Sequence, residues 1–105
     1  MRHFLLFYDF APDYEARRAN YRDQHLPLAW EASERGELIL AGALTEPLDQ
    51  GVLLFKAEST AVVEDFARAD PYVVNGLVTG WQVREWITAV GEHATSPIGQ
   101  PSAAR

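Results

Sequence analysis

Apolar residues along the chain fall into two rhythms, short continuous runs and positions spaced as on one helical face, and their alternation predicts a succession of strands and helices. Phe4 to Tyr8 is a continuous apolar run rich in aromatics, as expected of a strand covered on both faces. Pro12 suits the first turn of a helix, and from Asp13 to Gln24 the composition is helical and charged. Tyr14, Arg18, Tyr21, His25, Leu28 and Ala32 keep the spacing of one helical face. Pro27 interrupts that face. Its ring meets the carbonyl of Asp23, which predicts a kink or break near His25. The helix is expected to resume at Pro27 and to stop at Gly36, a good left-handed C-terminal cap.

Leu38 to Leu44 reads as a second strand, Thr45 to Gln50 as a loop, and Gly51 to Ala57 as a third strand pairing with the second in an antiparallel hairpin. Ser59 or Thr60 can cap a helix running through Ala69, with Val62, Val63 and Phe66 on its buried face. Asp70-Pro71 ends it, because a residue before proline avoids the helical region. Tyr72 to Leu77 is expected to be a short helical turn or a loop, and Gly80 to Val90 the last strand. From Gly91 the chain carries Ser, Pro, Gly and Ala without periodicity, so a domain over residues 1–91 and a flexible tail over 92–105 are expected. No internal repeat is present.

The order β-α-β-β-α-β predicts an α+β, ferredoxin-like fold, a four-stranded antiparallel sheet with both helices on one face. The first strand puts Phe4, Leu6 and Tyr8 on one side and Leu5 and Phe7 on the other. The third strand divides Val52 and Leu54 from Leu53 and Phe55. Helices cover only one side, so the other apolar face predicts a homodimer of two sheets packed with twofold symmetry.

Composition narrows the function. A chain of 105 residues with 48% hydrophobic residues makes one domain with a feasible core. A net charge of −6 and a single lysine, Lys56, disfavour nucleic acid and anionic membrane surfaces as partners. The absence of cysteine excludes disulfides and thiolate metal sites. The opening Met1 to Asp9 lacks a small-residue cleavage site, so it reads as a strand rather than a signal peptide. No apolar stretch approaches the ~20 residues of a membrane span. A soluble cytoplasmic protein is expected.

His25 lies on the inward helical face where Pro27 disturbs it, and it is either a general acid and base or a packed histidine bonded to a nearby carbonyl. Asp70 can fix the tautomer of an imidazole or simply cap a turn. Glu85 shares a strand face with Trp81, Val83, Ile87 and Ala89. A carboxylate there must pair, with Arg17 or Arg18 for instance, line a pocket, or reach solvent. His3, His25 and His93 have no recognised metal spacing, and no Gly-rich phosphate loop is present. Trp30, Trp81 and Trp86 read as core or interface residues.

Residues 1 to about 91 resemble the YciI-like family, a branch of the dimeric α/β-barrel superfamily. The likeness rests on Phe4-Leu5-Leu6-Phe7-Tyr8-Asp9, Arg22-Asp23-Gln24-His25-Leu26, the stretch from Gly36-Glu37-Leu38 to Gly42-Ala43-Leu44, Asp70-Pro71-Tyr72, Gly76-Leu77-Val78 and Trp81-Gln82-Val83-Arg84-Glu85-Trp86, taken in order. The resemblance implies a dimer made by sheet packing and a pocket between helix and sheet holding a His and an Asp, here His25 and Asp70. It implies no organic cofactor. The family includes a dehydrochlorinase acting on a chlorinated hydroxyhydroquinone. The expectation is a cofactor-independent, lyase-like enzyme in which His25 moves a proton on a small aromatic or cyclic substrate. Asp70 would orient His25, with Arg17, Arg18, Tyr72 and Glu85 as candidate substrate contacts. The competing expectations are a non-enzymatic binder of a small ligand and a cofactor-free monooxygenase.

Overall fold

The structure is a computed structural model and describes residues 1–99. Its elements are β1 (Arg2–Phe10), α1 (Tyr14–Glu34), β2 (Leu38–Ala43), β3 (Gln50–Ala57), α2 (Thr60–Ala69), α3 (Pro71–Val74) and β4 (Val78–Trp86). The strands form one antiparallel sheet in the order β2-β3-β1-β4. This is the ferredoxin-like arrangement, with a third, one-turn helix inserted after α2.

Strand alternation decides which side chains meet the helices. Phe4, Leu6 and Tyr8 of β1 stand opposite Phe55, Leu53 and Gly51 of β3 and are buried. Val63, Phe66 and Ala67 of α2, Tyr14 and Ala32 of α1, and Tyr72 and Leu77 complete the core. Each such large side chain, once buried, contributes roughly 1.5–3 kcal/mol. Leu5 and Phe7 point the other way. Facing Leu54 and Val52, they stay only half-buried because no helix covers them.

Capping follows the sequence closely. The Ser59 hydroxyl accepts from the Ala61 amide at 3.3 Å and starts α2. Gly36 adopts φ +80°, and the Glu37 amide bonds back to the Ala32 carbonyl at 3.0 Å, closing α1.

Of the kink or break expected at Pro27, no break occurs, and helix α1 runs through it for 21 residues. Both Pro27 and Asp23 are exposed, so the carbonyl that proline leaves without a donor can turn to water, while Tyr14, Tyr21, Leu28 and Ala32 hold the inner face against the core. Strand β4 starts at Val78 rather than Gly80 and ends at Trp86 rather than Val90. Trp86 pairs with His3 near the start of β1, and beyond it no strand remains to bond to. Of the segment expected as a tail, residues 100–105 lie outside the described residues. Before them the chain bonds to itself, Ser96 to the Thr88 carbonyl and Ile98 to the Ala89 carbonyl, both at 3.0 Å.

Candidate active site

Asp70 is placed by its neighbour. Pro71 forces it out of the helical region (φ −67°, ψ 122°), which ends α2 and turns the carboxylate to accept the Tyr72 amide at 3.0 Å, as the N-cap of α3. The side chain that caps α3 is therefore the same one that reaches His25. Asp70 has no exposed surface at all. A buried carboxylate costs several kcal/mol unless hydrogen bonds offset it. Here Oδ1 accepts from His25 Nδ1 at 2.8 Å as well as from Tyr72, and Oδ2 accepts from the Tyr8 hydroxyl at 2.7 Å.

The bond to Asp70 sets the state of His25. An ionised carboxylate only accepts, so Nδ1 carries the hydrogen, and in the neutral ring Nε2 is the nitrogen with the lone pair. Among the described residues nothing bonds to Nε2, and no buried side-chain nitrogen or oxygen is left without a partner, so Nε2 is open to the cavity His25 lines. The ring lies flat on Tyr72, with centroids 3.9 Å apart and planes 8° from parallel. Burial first, and the Asp70 charge second, push the Tyr8 phenol far above the usual tyrosine range. It therefore stays protonated and donates. The Tyr72 phenol is also pushed up, chiefly by burial, with Arg22 pulling the other way.

The cavity, about 420 Å³, lies between α1 and the edge strand β2. Tyr8, Phe10, Tyr14 and Tyr72 supply aromatic wall, and Trp30 and Leu26 stand partly exposed beside it. Phe10 and Tyr14 stack at 3.7 Å. Gly51 makes room for that stack, since a Cβ there would fall 3.0 Å from the Phe10 ring. The polar side chains are few: Arg18, Arg22, His25, Ser33 and the phenols. An apolar hollow with a few convergent polar groups suits a small organic molecule.

The candidates from the sequence separate in space. His25, Asp70, Tyr72 and Arg18 come together. Arg17 does not line the cavity; it donates to the Asn75 carbonyl at 2.8 Å and lies 3.6 Å from Asp13. Glu85 pairs with neither Arg17 nor Arg18. It is exposed and meets Arg2 at 3.3 Å. Register explains this, for Glu85 stands opposite Phe4 and Trp81 opposite Tyr8, which puts Glu85 about 13 Å along the strand from the site. Tyr8 and Arg22 were not anticipated as site residues. Arg22 had a signal, one turn beyond Arg18 and one turn before His25. Tyr8 had a weaker one, a phenol on an inward strand face that must find a partner.

His3 and His93 line a second hollow, on the sheet face without helices. His3 Nδ1 is 2.8 Å from the Thr88 hydroxyl. Among the described residues no group of three or more His, Cys, Asp or Glu could hold a metal ion, and no helix is long and apolar enough to cross a membrane.

The family model for the YCII-related domain matches residues 1–87. Among solved structures, the chain is similar to 5-chloro-2-hydroxyhydroquinone dehydrochlorinase from Burkholderia phenoliruptrix AC1100, in complex with 2,5-dihydroxybenzoquinone. The TM-score is 0.68 and identity 21%, over 88% of this chain and 98% of that one. It is also similar to protein Atu4242 from Agrobacterium tumefaciens, with a TM-score of 0.55 and 16% identity over 90% and 98%. At these identities the two structures show the fold. No curated protein matches the sequence.

Proposed function

The chain belongs to the YCII-related domain family, and from that premise we propose that it is a cofactor-independent enzyme that moves a proton on a small aromatic or cyclic molecule held between α1 and β2. The observation that carries the reading is the 2.8 Å bond from His25 Nδ1 to a fully buried Asp70, with Nε2 left open to a cavity of substrate size. Nε2 takes a proton from the substrate. Asp70 holds the ring in place and balances the positive charge the ring then carries; the leaving group departs with its bonding pair, and the imidazolium gives the proton up to water. Arg18 and Arg22 face an ionised substrate oxygen, which a planar guanidinium binds well. The similar dehydrochlorinase gives the reaction class to try first, loss of chloride from a chlorinated hydroxylated ring.

The proposal extends to a homodimer joined through the open sheet face, supported by Leu5, Phe7, Val52 and Leu54 on that face, and to a cytoplasmic setting. Sedimentation of the full chain as a monomer at micromolar concentration would end the dimer.

The deciding experiment compares the full chain with its His25→Ala variant for chloride release over a panel of chlorinated quinols. A positioned proton carrier supplies ~10²–10⁴-fold of rate, so turnover should fall by about that factor with the melting temperature little changed. An equal rate in the variant overturns the catalytic role. Ligand-induced melting shifts with no product from any compound would instead make the cavity a binding site.

A further inference from the structure

The three donors to Asp70 differ in what requires them. The Tyr72 amide is the ordinary cap of α3, and His25 is the group the site presents to the cavity. Tyr8 has no such local reason. Its bond joins residues 62 apart in sequence, ties the central strand to the junction of α2 and α3, and at 2.7 Å is the shortest of the three. A phenylalanine would fill the same core space without burying a hydroxyl, and Asp70 is the sole partner that hydroxyl has among the described residues.

We propose that Tyr8 is a positioning residue that sets the proton affinity of His25 through Asp70. The inference rests on the reading of His25 as the proton carrier. A phenol donating to Oδ2 draws negative charge out of the carboxylate, and the charge that remains is what steadies an imidazolium at Oδ1. Tyr8 therefore holds His25 less basic than an unshared carboxylate would make it. A proton carrier whose affinity lies near the working pH can both take and release its proton, and a strong ion pair would trap it. Because burial keeps the Tyr8 hydrogen in place, the donor does not itself titrate in the working range. The other groups facing this site are Tyr72 of α3, stacked on the imidazole, and Tyr14, Arg18 and Arg22 of α1. β2 brings no ionisable side chain.

The test follows the His25 ring by NMR titration in the full chain, with no turnover needed. In Tyr8→Phe the midpoint of the His25 titration should rise by roughly half a unit to one unit, and the limb of the kcat/KM profile that reports the base should move with it. Site-specific replacement of Tyr8 by 3-fluorotyrosine keeps the ring and strengthens the donor, so the midpoint should fall. This second variant decides the matter if Tyr8→Phe does not fold. Midpoints that stay in place, or that move in the same direction in both variants, overturn the inference. If His25→Ala keeps full turnover, the parent reading fails by itself, while the titration still shows whether Tyr8 is coupled to His25.

Discussion

His25 and His3 are both held through Nδ1 at 2.8 Å, on opposite faces of the sheet. One partner is the buried carboxylate of Asp70 and the other is the hydroxyl of Thr88, itself bonded to the Thr95 amide at 2.9 Å. Around His25 the fold places a compensating negative charge, a stacked phenol ring and a cavity. His3 is buried and also borders a hollow, but its partner is a neutral hydroxyl, and Lys56 and His93 stand nearby. Burial first, and then those two neighbours, hold its imidazole below the usual histidine range. Equal bond lengths therefore say little about role. What differs is the charge of the partner: the carboxylate beside His25 suits the protonated ring that its proposed role requires, and the hydroxyl beside His3 does not.

The hardest way to break that contrast is at Asp70. Asp70→Ala leaves the Tyr8 hydroxyl, the Tyr72 amide and the His25 ring without their shared acceptor. Loss of one side of a buried pair costs about 3–5 kcal/mol, so urea unfolding should show a large drop in stability and turnover should vanish with it. Asp70→Asn keeps most of the shape but offers His25 an amide, so turnover should fall steeply, by as much as about 10⁴-fold, with a smaller loss of stability.

The arginines come next. Arg18→Met or Arg22→Met should raise KM about tenfold for an ionised substrate, the effect of losing roughly 1.4 kcal/mol of ground-state binding. Arg17→Met should leave KM alone, because Arg17 is spent on the Asn75 carbonyl and Asp13. A KM effect at Arg17 equal to that at Arg18 would contradict the geometry of the cavity.

On the His3 side, Thr88→Val should cost about 1–2 kcal/mol of stability, as expected for leaving a buried ring nitrogen without a partner, with turnover unchanged.

The smallest effects lie in the pH dependence of stability. The unfolded chain binds a proton on His3 near pH 6.5, and the folded chain binds it only lower, so stability should decline as pH falls below 6.5. Tyr8 works at the other end. The unfolded chain loses that proton near pH 10 while the folded chain keeps it, so stability should decline again as pH rises past 10. Thermal melts across the range check both arms, and His3→Gln should remove the acid one.

Much of the fold was legible along the chain. Period-two alternation divided β1 and β3 into two apolar faces without saying which one meets the helices, Ser59 or Thr60 and Gly36 marked helix ends, and Asp70-Pro71 marked the close of α2. Proline chemistry left a break in α1 open, and none occurs, because an exposed proline is tolerated when the opposite face is anchored. His25 and Asp70 were both recognisable as candidates, as was Arg18, but Glu85 looked like a partner for a helix arginine until the register placed it beside Arg2.

Local pattern, then, determined the elements, their faces and the residues able to do chemistry, because helical and strand periodicity are properties of neighbours a few positions apart. The meeting of His25 with Asp70 across 45 residues, the Tyr8 bond across 62, the exclusion of Arg17 and the open space between α1 and β2 were decided only by the packed sheet and helices. Distances of that kind depend on register and on the angle at which α1 crosses the sheet, and no short stretch of sequence carries either.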